Sequence, residues 1–298
     1  MGNNIDLTSN TLAGRSVERL ASIARETRSG QIDMVRAVAD TIGRRGAGVI
    51  VEAGCGVGKS FGYLIPAITS GRKSIVVTPT KALQDQLGGI DLPFLASKLG
   101  GFTYAVLKGR NNYACLAAID EATGDGTLFA GQVDDEMRDV LGWLDTTRTG
   151  DINELARVSD DTRRKITISP DECPGARKCP RGDDCWAERA KARAKSADIV
   201  VTNTALYGND IATGSCGMVL PEHDVVIIDE VQRFEDGIAE ALGTEVSTAA
   251  LKRIGVELWR LLDDSARPVI ESVQSAGVDL AAAIADIASG DDRLLDHP

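Results

Sequence analysis

Three glycines, a lysine and a hydroxyl are packed into Ala53-Gly54-Cys55-Gly56-Val57-Gly58-Lys59-Ser60. These are the residue types that hold a triphosphate. Glycine lets backbone N–H groups curl around phosphate oxygens, Lys59 can reach the β- and γ-phosphates, and the Ser60 hydroxyl can ligate Mg²⁺. Seven of the eight positions fit a phosphate loop, and Ala53 stands where glycine is usual. A second acidic element lies far downstream, where Val225-Val226-Ile227-Ile228 ends in Asp229-Glu230. A buried parallel strand delivers carboxylates to the edge of a sheet in this way. Asp229 suits the Mg²⁺ shell and Glu230 suits polarising a water that attacks the γ-phosphate. Lys59, Asp229 and Glu230 are therefore the candidate catalytic residues. Gly54, Cys55, Gly56, Val57, Gly58, Lys59 and Ser60 are the candidate nucleotide contacts, with Ser60 and Asp229 as the magnesium ligands.

Four of the six cysteines form a second constellation. Cys115 is followed after 57 residues by Cys173, then by Cys179 and Cys185 at intervals of five residues. Structural zinc sites usually draw two cysteines from within about two to four residues of each other, and no pair here is that close. Prolines and glycines punctuate the loop (Pro174, Gly175, Pro180, Gly182), so its thiolates can converge. The spacing alone leaves an iron–sulfur cluster, zinc and unliganded thiols all open. Around these cysteines, residues 173–195 carry seven Lys/Arg against three Asp/Glu, a basic stretch that can meet a phosphate backbone or simply face solvent. The rest of the chain leans the other way. Its formal net charge is −11, and residues 234–298 hold thirteen acidic residues against five basic ones, which excludes a generally basic nucleic-acid coat.

Such groups need a scaffold. With 298 residues and 43% hydrophobic content the chain can bury a sizeable core. No run approaches the ~18 apolar residues of a membrane span, and the first residues lack a basic-then-apolar leader, so a soluble cytoplasmic protein is expected. Apolar β-branched runs near 48–52, 75–78, 103–107, 198–202 and 225–229 predict parallel strands separated by helices, a doubly wound α/β sheet of the RecA-like kind. Helical spacing follows the glycine loop at Phe61, Leu64, Ile65 and Ile68. Further helices are predicted over 134–144 and 151–158, with Thr149 or Asp151 as caps. Leu251, Ile254, Leu258, Leu261 and Leu262 form one helical face in the acidic tail.

Several segments, taken in order, resemble the iron–sulfur DNA helicases of superfamily 2, the DinG and XPD type, with the bacterial DinG branch nearest. They are Glu26-Thr27-Arg28-Ser29-Gly30-Gln31 with Met34; the glycine loop opened by Glu52; Val76-Val77-Thr78-Pro79-Thr80-Lys81; Leu107-Lys108-Gly109-Arg110 leading to Cys115; the later three cysteines; and Ala197-Asp198-Ile199-Val200-Val201-Thr202-Asn203. The resemblance implies ATP and Mg²⁺ as cofactors and a [4Fe–4S] cluster on Cys115, Cys173, Cys179 and Cys185. It adds Arg28 and Gln31 as residues near the nucleotide. It further implies a 5′–3′ motor on single-stranded DNA with a place in DNA repair, touching its track near Thr78, Thr80 and the cysteine module. The domains it implies are a RecA-like motor domain at 1–108 and 197–236, a cluster insertion at 109–196, and part of a helical arch at 237–298.

Departures from the family pattern bear on coupling. Gln232 stands where the acidic motif usually has histidine, and Thr204 replaces a common histidine after Asn203. No second motor lobe is recognisable in these residues. ATP binding with little DNA-stimulated hydrolysis is therefore expected of the isolated chain. The alternative is a non-motor ATP- and DNA-binding module, or a split-helicase subunit that needs a partner polypeptide carrying the second RecA-like lobe. Tyr113 and Trp186 could stack on bases, with packing the favoured role.

Overall fold

The computed structural model describes residues 11–24, 28–54, 56–124, 135–155, 157–170, 172–215, 217–243 and 267–290. Two compact units divide the chain, residues 1–242 and 243–298. The first is an α/β unit around four parallel strands: β1 (Ser74–Thr78), β2 (Tyr104–Val106), β3 (Ile199–Asn203) and β4 (Val225–Ile228), in the order β2-β3-β1-β4. Val76 of the central β1 pairs with Val201 on one side and Ile227 on the other.

Alternation along the strands sends side chains to opposite faces. On one face Val76 and Val201 meet Leu20 of α1 (Leu12–Ile23), Val35 of α2 (Ser29–Ile42) and Leu64, Ile65 and Ile68 of α3 (Lys59–Ser70). On the other, Ile75, Val77 and Val200 pack on Ala187, Ala190 and Ala194 of α9 (Trp186–Ser196), defined with its neighbours below. β1 is buried throughout because helices cover both faces, and this is why it reads as a continuous β-branched run.

Helices α4 (Lys81–Gln86) and α5 (Leu92–Leu99) follow β1, joined by a π-helical turn over Leu87–Asp91. Thr80 caps α4, its hydroxyl accepting from the Leu83 N–H at 3.3 Å. After β3, Asn203 caps α10 (Thr204–Ala212), its side chain accepting from the Leu206 N–H at 2.8 Å. Beyond β4 come a 3₁₀ turn at Val231–Arg233 and α11 (Phe234–Leu242). The second unit is described through one helix, α12 (Arg267–Gly290). The predicted apolar face from Leu251 to Leu262 lies outside the described residues.

Between β2 and β3 the chain makes α6 (Leu116–Thr123), α7 (Asp135–Leu144) and α8 (Asp160–Ile166) before α9, with a small core of Ala114, Ile119, Met137, Val140, Ile152 and Ile166. One buried ammonium ties this insertion to the sheet. Lys108 Nζ lies 2.7 Å from Asp85 of α4 and 2.6 Å from Asp151 of the insertion, with its side chain 3% exposed. Burial works against that charge, but Asp151 and Asp85 outweigh it and hold the Lys108 pKa above the ordinary lysine value.

Two expectations fail. Residues 48–52 form no strand: no regular structure is assigned to them, they make no main-chain hydrogen bond to a described residue, and Val49 and Ile50 are exposed. Among the described residues of 151–158 there is only a 3₁₀ turn at Ile152–Glu154. There the Asp151 carboxylate accepts from the Asn153 N–H at 3.0 Å, closing a turn too short to propagate, and Leu155 returns to extended backbone. The helix starts later, where Ser159 accepts from Thr162 N–H and Asp160 and Asp161 fill the first turn. The helix over 134–144 is found from Asp135 onward, with Asp134 outside the described residues.

Candidate functional site

The glycine loop turns on two left-handed glycines, Gly56 (φ 78°) and Gly58 (φ 86°), and α3 begins directly at Lys59. A side chain at Gly58 is barred twice. Its φ is strained for L-residues, and a Cβ there would lie 2.3 Å from Gln31 Nε2. Gln31 Nε2 donates to the Gly58 carbonyl at 3.0 Å, and Arg28 Nη1 donates to the Gly56 carbonyl. Both residues therefore hold the loop's backbone from behind. Gly54 is exposed, Val57 is half-buried against Gly30, and Cys55 lies outside the described residues. The amides of residues 53, 54, 56 and 57 donate to no described backbone carbonyl, as a loop that receives phosphates requires.

Lys59 and the acidic pair meet across 171 positions of sequence. Lys59 Nζ lies 2.9 Å from Glu230 Oε1. Tyr63 donates its hydroxyl to Asp229 Oδ2 at 3.0 Å and also contacts the Ser60 hydroxyl, so it links the two candidate magnesium ligands. Burial and then Asp229 push the Tyr63 pKa well above the ordinary phenol value, so its hydroxyl stays a donor. Lys59, with Gln232 behind it, lowers the Glu230 pKa and keeps the group ionised. Gln232 Nε2 donates to Glu230 Oε2 at 2.5 Å, so the residue in the usual histidine position fixes the second carboxylate oxygen. Glu230 itself sits in left-handed backbone (φ 53°, ψ 52°), an uncommon conformation for a non-glycine residue directly after β4. The other departure is also explained by space. Thr204 is 4% exposed, and its methyl lies 2.8 Å from where a Cβ on Gly237 would stand, so α10 and α11 approach closely over it.

Sequence reasoning missed Tyr63 and Asp91. Tyr63 follows Lys59 by four positions and so shares its helix face, a signal that was available. Asp91 ends the π-helical turn near Ser60, with its Oδ2 buried and without a hydrogen-bond partner among the described residues; burial raises its pKa while Ser60 and Gln86 pull the other way. Nothing local marks it.

All four cysteines of the second constellation are reduced, half-buried, and line one pocket with Arg110, Arg181 and Ala176. Cys115 caps the N-terminus of α6, and Cys185 that of α9. Arg110 Nη1 lies 3.7 Å from Cys185 Sγ and its other nitrogen pairs with Glu188. Burial pushes the Cys115 thiol up, with the Ala118 and Ala117 amides opposing it. Gly182 is obligatory, because a Cβ there would stand 2.0 Å from the Ala176 carbonyl oxygen. Among the described residues, no group of three or more His, Cys, Asp or Glu is arranged to hold a single metal ion. Tyr113 packs, as favoured: it is buried, and its hydroxyl accepts from the Lys108 N–H at 3.0 Å. Trp186 lies against Gly150 under Arg189, whose guanidinium is 5.2 Å from the ring centre.

A left-handed glycine loop opening a helix, with a strand-end Asp-Glu meeting its lysine, defines the class: an α/β phosphate-loop protein with a parallel sheet consistent with the RecA-like fold. No protein-family model matches the chain. Relatives named DinG or YoaA match the chain. The ATP-dependent helicase DinG of Mycobacterium tuberculosis is 34% identical over 299 aligned positions, which cover 91% of this chain and 43% of that protein. The ATP-dependent DNA helicase YoaA of Escherichia coli is 35% identical over 75% of this chain and 36% of its own length. A Bacillus subtilis protein named 3′-5′ exonuclease DinG is 35% identical over 77% of this chain and 25% of itself. The chain thus spans less than half the length of these relatives. No helix among the described residues is long and apolar enough to cross a membrane.

Proposed function

We propose that this chain is the ATP-binding motor portion of a DinG-like DNA helicase, working in the cytoplasm on single-stranded DNA. The observation that carries the reading is the meeting of Lys59 with Glu230 at 2.9 Å beneath a loop of uncommitted amides. In this reading the loop amides and Lys59 bind the phosphates of ATP, and Ser60 and Asp229 would hold Mg²⁺. When Lys59 turns to the γ-phosphate it releases Glu230, which Gln232 keeps oriented toward the attacking water. Tyr63 positions Asp229 by donating to its Oδ2, an oxygen of a carboxylate that would hold the metal.

The four thiols line one pocket, and with the family resemblance their number and shared pocket support a [4Fe–4S] cluster as their ligand. Arg110 and Arg181 beside them offset the thiolate charge. The cluster's contribution is a rigid covalent knot, with residues 109–196 as its module. The basic side chains of α9 suit a phosphate track, whereas Thr78, expected to touch DNA, is buried with its hydroxyl near the Thr80 and Thr202 carbonyls; Thr80, partly exposed at the start of α4, is the nearer candidate. The DinG and YoaA names support helicase action; the 5′–3′ sense rests on the resemblance alone, as do the second RecA-like lobe required for efficient turnover and the arch to which residues 237–298 would contribute.

Titration with a fluorescent ATP analogue tests the core of this reading. The wild-type chain binds in the presence of Mg²⁺, and Lys59→Ala weakens binding by at least about tenfold, the loss of one charge-assisted contact. Equal affinity in the two proteins would refute it. Iron and sulfide analysis of oxygen-free material tests the cluster separately, and a colourless protein with stoichiometric zinc would rule it out.

A further inference from the structure

Asp91 occupies a position that the usual structural duties of an aspartate do not explain. It is the last residue of the π-helical turn at Leu87–Asp91 and the N-cap of α5, yet its side chain makes no capping hydrogen bond. Its Oδ2 is buried without a hydrogen-bond partner among the described residues. An acceptor shut away from water with no donor costs about 1–3 kcal/mol, and more when it is charged, so a native fold keeps one only for a reason. The side chains close enough to act on this carboxylate are Ser60 and Gln86.

The packing around the turn holds Asp91 at Ser60. Leu87 and Leu92, at either end of the turn, are buried in one core with Leu64 and Ile65 of α3. Gly88 lies so close to β2 that a Cβ there would stand 2.2 Å from Val106 Cγ2. Phe61, the residue after Ser60, stacks on Phe94 of α5, with ring centres 5.7 Å apart and planes 4° from parallel. π-Helical turns are rare and collect at functional sites, where they re-aim a side chain. This one is wedged between α3 and β2, so the placing of Asp91 is built in.

The chemistry of a serine hydroxyl supplies the reason. Ser60 has one proton and two lone pairs, and an oxygen that turns a lone pair to a cation must send its proton elsewhere. Two acceptors stand beside it: the Tyr63 oxygen, whose own proton goes to Asp229 Oδ2 at 3.0 Å, and the Asp91 carboxylate. The charged acceptor is the stronger. We propose, on the reading of Ser60 as a magnesium ligand, that Asp91 is a positioning residue for the magnesium–nucleotide complex: its carboxylate accepts a hydrogen bond from the Ser60 hydroxyl and so turns the Ser60 oxygen toward the cation. Asp91 itself touches neither metal nor phosphate. Partners of this kind, one step removed from a metal, are worth about 10–100-fold in metal affinity.

A titration of Mg²⁺ into the full chain holding a fluorescent, hydrolysis-resistant ATP analogue tests this. In Asp91→Ala the Mg²⁺ concentration that gives half of the metal-dependent gain in affinity should rise about tenfold, while affinity in EDTA stays within about twofold of wild type. Asp91→Asn keeps the shape and a weaker acceptor, so its rise should be smaller; it carries the test alone if Asp91→Ala fails to fold. In a Ser60→Ala background the same substitutions should have no effect on Mg²⁺ dependence, because a residue that acts through the hydroxyl has nothing left to act on. A purely structural role would lower affinity equally in EDTA or persist in the Ser60→Ala background. Either result overturns the proposal, as does wild-type Mg²⁺ dependence in both Asp91 variants when Ser60→Ala weakens it. Wild-type Mg²⁺ dependence in Ser60→Ala would overturn the magnesium reading of Ser60 itself, and the role of Asp91 with it.

Discussion

The glycine loop and the cysteine module keep their ligand-facing atoms available by opposite means. The loop relies on backbone: two left-handed glycines, amides that donate to no carbonyl among the described residues, and Arg28 and Gln31 gripping carbonyls from behind. The module relies on side chains. Four thiols face one pocket from separate short elements, held by a small apolar core of their own. A backbone site is shaped before its ligand arrives, whereas a thiol site gains much of its order from what it binds. The two should therefore fail independently and by different routes.

Cys185→Ser should give the largest contrast. Iron should fall from about four per chain to a small residue, while ATP affinity changes by less than about twofold, measured by metal analysis and nucleotide titration on the same preparation. Loss of both together would break the comparison. Gly182→Ala should lower iron content as well, through the carbonyl of Ala176, and cost about 2 kcal/mol of stability in that module by overpacking. Gly58→Ala is the mirror experiment. Left-handed backbone costs an L-residue about 1–2 kcal/mol, and Gln31 must also move, so ATP affinity should drop with iron unchanged.

The smallest effect on stability is expected at Glu230. Its folded pKa is lowered chiefly by Lys59, so its contribution is full above the ordinary carboxylate range and is lost as pH falls through the lowered value. Glu230→Gln should therefore cost no more than about 1 kcal/mol at neutral pH, because the pair is about a third exposed, and should flatten the acid limb of a denaturation series. It should also remove ATP hydrolysis without removing ATP binding.

Most of this was legible in the residues themselves. Buried strands such as Ser74–Thr78 and Ile199–Asn203 read clearly because helices cover both faces and nothing polar interrupts them. Residues 48–52 read the same way and yet stand unpaired, because periodicity reports what a segment is suited to and not whether a neighbour is present. The helix expected at 151–158 failed for a local reason. Asp151 closes a tight turn, and the better start signal, Ser159-Asp160-Asp161, lay a few residues on. The grouping of the four thiols was visible in their spacing. Asp91 was not, since a π-helical turn brings it to Ser60 and no pattern announces such a turn.

Lys108 carries one more implication. A desolvated cation clasped by Asp85 on one side and Asp151 on the other behaves as a rivet through two plates. Removing one carboxylate leaves the ammonium a single partner; removing both leaves an uncompensated charge on a buried side chain, which is far costlier than never having built the joint. The inserted lobe therefore cannot tilt without dragging α4 and the threonine that caps it, so any tug felt at the thiols is handed on to the rim of the sheet.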